Sequence, residues 1–198
     1  MPRALAAAAA LAVLCAAAPL AAGPRLELTG GFTTASSDGP QNAGASLGAA
    51  ALWEIGHRLS FGPMLFADDL GTEIGRITDP SGADLGPAVE SHRWVYGGAW
   101  RFDGALPLSG AWTGVGSVSW GYYRIEDDRV GQTLAVESAL GWSLGAGIRH
   151  ALRSSTAIGL SARWHHLTTE TQDHYLRVGV DLIWQPGSGA SAPSAKHP

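Results

Sequence analysis

The chain is poor in charge and in cysteine, and beyond its N-terminal segment it has no long apolar run. Asp, Glu, Lys and Arg make up 15% of its 198 residues, and the net charge is −4. A nucleic-acid binder would carry a basic patch or stripe, so no nucleic-acid partner is expected. The two methionines are too few for a Met-rich binding groove. The only cysteine, Cys15, lies near the N-terminus, so no disulfide can hold the rest of the chain together. Downstream there is no uninterrupted apolar stretch of roughly 18 residues, which excludes a transmembrane helix. A membrane protein without such helices must be a closed barrel, because lipid tolerates no unpaired sheet edge.

The N-terminus reads MPRALAAAAALAVLCAAAPLAAG. Arg3 supplies a positive start, Ala4 to Ala18 an apolar core, and small residues follow up to Gly23. This pattern predicts a secretory signal peptide over residues 1–22, cleaved between Ala18 and Gly23. Leu14 is bulky where a lipoprotein signal wants Gly, Ala or Ser, which argues against acylation of Cys15.

What the chain does have is glycine, tryptophan and period-two alternation. There are 27 Gly, and 8 Trp against 4 Phe. In YLRVGVDLIW, Leu176, Val178, Val180, Leu182 and Trp184 share one parity, and Arg177, Gly179 and Asp181 the other. Alternation of this kind marks a strand with two unlike faces. Seven further segments read the same way: 25–34, 44–55, 59–70, 91–102, 109–124, 133–149 and 155–167. The segment 109–124 is the least tidy, because Val115 and Tyr123 fall on its polar side. The connections alternate between short (GHR, DGALPL, HALRS) and longer or more polar (TASSDGPQN, GTEIGRITDPSGADLGPAVE, EDDRVG, TTETQDH). Short periplasmic turns and long outside loops are the habit of membrane barrels, and an even strand number predicts both termini on the periplasmic side.

The faces decide between lipid and water. All eight Trp lie on the apolar parity, mostly near strand ends, as two aromatic girdles would. The other parity carries charges among many Gly and Ser. In an eight-stranded barrel the interior is only just wide enough for side chains to fill it. Facing mid-membrane lipid, such charges would cost roughly 2–4 kcal/mol each. The sequence therefore predicts an all-β, eight-stranded antiparallel up-and-down transmembrane barrel over 25–184. A Pro/Gly/Ser-rich periplasmic tail over 185–198 is predicted to be disordered.

The stretches GWSLGAGIRHAL, AIGLSARWHHL and VGVDLIW resemble the small eight-stranded outer-membrane β-barrel family of Gram-negative bacteria. VGVDLIW, with Gly179, Leu182 and Trp184, is similar to the signal read by the barrel-assembly machinery. Members usually end on an aromatic residue, whereas this chain continues with QPGSGASAPSAKHP. The resemblance implies a bacterial outer-membrane location. Its partners would be outer-membrane lipid, lipopolysaccharide and, during biogenesis, the assembly machinery. A monomer without cofactor is implied, with a structural or surface-interaction role carried by the extracellular loops.

Several motifs compete with this reading. GWSLG matches G-x-S-x-G, but a nucleophile elbow needs a strand–turn–helix context, and Ser143 sits in unbroken strand alternation. RWHHLT is similar to the His-x-Ser pair of outer-membrane lipid A deacylases, with His166 and Thr168 in the corresponding outward positions. Thr replaces Ser, and His174 rather than a carboxylate stands outward on the last strand, with Asp173 inward. Catalytic residues are therefore none, with His166 and Thr168 as the alternative; a narrow channel is the other rival. His165, His166 and His174 suggest a metal site, but His165 and His166 point to opposite faces and cannot easily chelate together; EDDR at 126–129 could bind a cation, but a polar hairpin explains it as well, so no metal is expected.

The inward charges are expected to pair across the lumen and plug it: Glu54, Arg93, Arg101, Glu137, Arg149, Arg163, Arg177 and Asp181, with Glu27 and Asp68. Glu54 with Arg101 or Arg149 is the favoured pair at the periplasmic end. Glu137 and Arg163 are placed toward the outer half. Gly141, inward, is expected to accept a methyl readily.

Overall fold

The computed structural model describes residues 23–35, 43–55, 58–75, 89–129, 132–169 and 174–186. The predicted signal peptide and the tail beyond Pro186 lie outside the described residues. Eight strands follow one another: β1 (Arg25–Ala35), β2 (Gly44–Glu54), β3 (Leu59–Gly75), β4 (Val89–Pro107), β5 (Trp112–Arg129), β6 (Gln132–Arg153), β7 (Thr156–Leu167) and β8 (His174–Trp184). Each pairs antiparallel with its neighbour, and β1 pairs with β8 from Leu26↔Trp184 to Ala35↔Tyr175, closing the barrel. Closure leaves the barrel wall without a free edge, the condition lipid imposes.

The short connections and both described termini lie at one end, called here the terminal end. β1, β3, β5 and β7 end, and β2, β4, β6 and β8 begin, at the opposite end. Strands β3 to β6 are longer than the alternation suggested. β3 continues to Gly75, β4 begins at Val89 and runs to Pro107, β5 reaches Arg129 and β6 reaches Arg153. The added residues (GTEIG, DGALP, EDDR) carry Gly, Pro and charge, which read as turn signals. They pair nonetheless, because ladder hydrogen bonds need only backbone. Pro107 closes β4 at a strand end, where a missing N–H is tolerated.

The face assignment follows the register. Leu28, Leu47, Val118, Leu144, Leu160, Val180 and Leu182 point outward and are exposed. Trp100, Trp120 and Trp184 share that outer surface, where Phe61, Trp100, Phe102 and Trp120 form a chain of ring contacts 4.3–5.4 Å apart. Glu27, Ser60, Asp68, Arg101, Ser119, Ser143, Arg163, Arg177 and Asp181 are buried inside. Val115 and Tyr123, out of pattern in a two-faced reading, are lumen residues. A filled barrel interior admits apolar and polar side chains alike, so its parity is not uniformly polar.

Glycine lets large side chains cross this narrow space. A Cβ at Gly97 would stand 2.0 Å from the Phe66 ring. At Gly141 it would meet the His166 carbonyl oxygen at 2.7 Å and the Tyr123 ring at 2.8 Å. Gly141 is therefore not the tolerant position expected of an inward glycine, because backbone and a packed ring both stand in the way. We expect Gly141→Ala to destabilise the refolded barrel by about 1–3 kcal/mol, the range for overpacking, seen as a lowered denaturant midpoint.

Candidate functional site

The lumen is built in layers. Nearest the terminal end, β1 contributes Arg25 and Glu27, β4 contributes Arg101 and Asp103, and β6 contributes Arg149. Arg101 is the hub: its Nη1 donates to Glu27 Oε1 at 2.5 Å, its Nε to Asp103 Oδ1 at 2.6 Å and its Nη2 to Asp103 Oδ2 at 3.0 Å. Arg149 Nη2 donates to Glu27 Oε2 at 2.7 Å and to Asp103 Oδ2 at 3.0 Å. Arg25 Nη2 reaches Asp103 Oδ2 at 2.7 Å and Ser60 Oγ at 3.0 Å. Three guanidiniums thus clamp two carboxylates. Planar, forked donors suit this many-sided pairing better than a lysine would.

Above it lies a second polar layer. Asp68 accepts from Ser46 Oγ at 2.7 Å and Tyr175 OH at 2.8 Å, with Arg177 Nη1 at 3.7 Å. Asp181 accepts from Thr29 Oγ1 at 2.6 Å. Ser119 and Ser143 share a hydrogen bond of 2.6 Å, and Arg163 Nη1 donates to Ser143 Oγ at 3.4 Å. Two cavities beside Arg163, each with room for about one water, lie in this layer.

Toward the opposite end the filling turns aromatic. His165 stacks on Tyr175 with centroids 4.5 Å apart and shares a 3.1 Å hydrogen bond between Nδ1 and Tyr123 OH. Phe66 lies 4.9 Å from Tyr123 and 5.5 Å from His165. Leu70, Val95, Ile125 and Leu167 complete a buried apolar cap.

Of the residues expected to pair in the lumen, Arg101 and Arg149 meet in the first cluster, and Arg163, Arg177 and Asp181 lie in the second layer. Glu54 does not join them. It is exposed at the end of β2 and accepts from Gln185 Nε2 at 3.2 Å; the role assigned to it falls to Glu27 and Asp103. Arg93 is half-buried near the opposite end and forks onto Asp127 at 2.7 and 3.0 Å. Glu137 is exposed on β6 beyond the point where β7 ends at Leu167. There the wall that would enclose an inward side chain is missing. Asp103 and Arg25 escaped the sequence reading, although each has the inward parity of its strand. Asp103 was hidden inside an apparent turn, and Arg25 is the first residue of β1.

The other motifs resolve as follows. Ser143 is fully buried in the middle of β6, hydrogen-bonded to Ser119, with no turn to expose it. His166 lies on the outer surface against Trp142 and Trp164, at 5.4 and 5.8 Å, and Thr168 is exposed. Among the described residues no carboxylate hydrogen-bonds to His166; Asp173 lies outside them. His165 and His166 do point to opposite faces.

A closed antiparallel barrel with an apolar outside, ringed by aromatic residues and filled with paired charge, is a transmembrane β-barrel. A family model, outer membrane protein beta-barrel domain, matches residues 6–183. The chain belongs to that family and is a protein of the bacterial outer membrane. No curated protein matches it in sequence. Among solved structures it is similar to Neisserial surface protein A, with 11% identity and a TM-score of 0.62, covering 82% of this chain and 96% of that one. It is also similar to the outer membrane protein OprG from Pseudomonas aeruginosa, with 9% identity and a TM-score of 0.51, covering 81% and 96%. At these identities the likeness is one of fold.

Proposed function

We propose that the protein is a sealed outer-membrane barrel acting as a membrane anchor and scaffold, with its function carried by the end opposite the termini. The observation that carries this reading is the continuous filling of the lumen. A clamped charge cluster is followed by a polar layer and then an aromatic cap, and among the described residues the two cavities beside Arg163 each have room for about one water. The extension of β3–β6 past their neighbours gives that end a raised sheet for contact with other molecules at the cell surface. In this reading the termini are periplasmic. Lipid and lipopolysaccharide surround the wall, and the assembly machinery inserts it.

Conductance across planar lipid bilayers tests the seal. The refolded protein should give no discrete steps at moderate voltage, whereas Arg101→Ala combined with Phe66→Ala should produce them. Steady unitary steps from the wild type would replace the scaffold with a narrow channel.

A further inference from the structure

On the outer surface near the opposite end, His166 of β7 and His174 of β8 stand directly across from one another. The hydrogen-bond pattern sets how close they come. Gln185 N donates to Ser155 O at 2.9 Å, so the odd-numbered residues of β7 point their backbone groups at β8. The register then runs without a shift from Thr156↔Trp184 to His166↔His174. His166 and His174 therefore form a non-hydrogen-bonded pair, the closer of the two antiparallel classes, with Cα atoms about 4.5 Å apart. Both side chains leave the same face, and side chains opposed in this way lie within contact reach. Both rings rest against the Trp164 indole, with centroids at 5.8 and 5.9 Å, and both are half-buried.

From this geometry we propose that His166 and His174 form a two-imidazole site for a divalent transition cation of the zinc or copper type. Imidazole nitrogen is a favoured ligand of both ions, with Zn–N bonds near 2.0–2.1 Å. Opposed in this way, one nitrogen of each ring would reach a shared ion, and water or an anionic lipid headgroup would complete the coordination. Trp164 forms one wall and places a fluorophore beside the ion. The neighbouring histidine, His165, faces the lumen and is excluded by strand parity. The ion would tie β7 to β8 across the outer surface, just below their connection.

The test uses the full-length refolded protein in detergent micelles, with Zn²⁺ titrated by calorimetry and Cu²⁺ by tryptophan fluorescence. Zn²⁺ should bind one to one. His166→Gln and His174→Gln should each weaken it at least tenfold, and the double variant should be no weaker than either single, because losing one ligand already destroys the chelate. Cu²⁺ should quench a fluorescence component that is lost when Trp142 and Trp164 are both replaced by Phe. Undiminished affinity in either single variant overturns the proposal. So does independent, multiplicative loss in the double variant. Quenching that survives intact when Trp142 and Trp164 are both replaced by Phe overturns it as well, and this arm needs no histidine variant to fold.

Discussion

Arg101→Ala should lower the stability of the refolded barrel by about 3–5 kcal/mol, the range for removing one partner of a buried ion pair. The side chain is 4% exposed and donates to Glu27 and twice to Asp103. Its removal leaves two carboxylates sharing Arg149 and Arg25, with fewer donors than lone pairs to satisfy. An unpaired buried charge is penalised far more than a missing hydrophobic contact. Arg149→Ala should cost less, because Arg101 still holds both acids. Adding Glu27→Gln to Arg101→Ala should recover part of the loss, since one uncompensated charge disappears. Guanidinium denaturation in micelles reads all three. Equal midpoints for wild type and Arg101→Ala would mean that water, rather than protein, solvates the cluster.

Leu160→Arg should reduce stability in bilayers by about 2–4 kcal/mol, the midplane value for a basic residue facing lipid. Leu160 lies midway along β7, is 57% exposed, and is flanked in register by Ile148 and Val180. An exposed leucine amid exposed aliphatic residues is what a lipid-facing surface requires; in water such a patch would drive association. The same substitution at Leu108, beyond the terminal end of β4, should be nearly neutral, because the penalty falls to about 0–1 kcal/mol near the interface. Folding yield into vesicles compared with yield into micelles separates the two positions. Equal tolerance of arginine at Leu160 and Leu108 would place both in water.

Parity made the fold legible and left depth obscure. In β8 every second residue from Leu176 to Trp184 is apolar, and the structure turns that set outward. The rule says which way a side chain points, but not whether neighbouring strands surround it. Glu54 and Glu137 both have inward parity, yet each sits where the wall around it has ended. Asp103 shows the converse. It follows Phe102 in a stretch with Gly and Pro that reads as a turn, yet it is the acid that binds three arginines. Which arginine meets which acid depends on register and strand tilt across the barrel. Glu27 and Arg149 are 122 positions apart and meet at 2.7 Å, which no local pattern encodes. The aromatic cap was hidden for a related reason. Phe66, Tyr123, His165 and Tyr175 come from four strands, and only Tyr123 stands out as an irregularity in its own alternation.

Thiol reactivity at three consecutive residues of β7 tests the sealed, lipid-facing barrel most directly. Cysteine replaces Leu160, Ser161 and Ala162 one at a time in the refolded protein in lipid vesicles. Thiols at the exposed, outward positions 160 and 162 should resist both a maleimide and a charged thiosulfonate, because lipid suppresses the reactive thiolate, and a fluorophore attached there before refolding should be quenched by brominated lipid. Position 161, facing the cavities beside Arg163, should react with neither until the barrel is unfolded. Rapid reaction of Ser161→Cys with the charged reagent in the folded protein would contradict the account, because it would show an open, wet lumen.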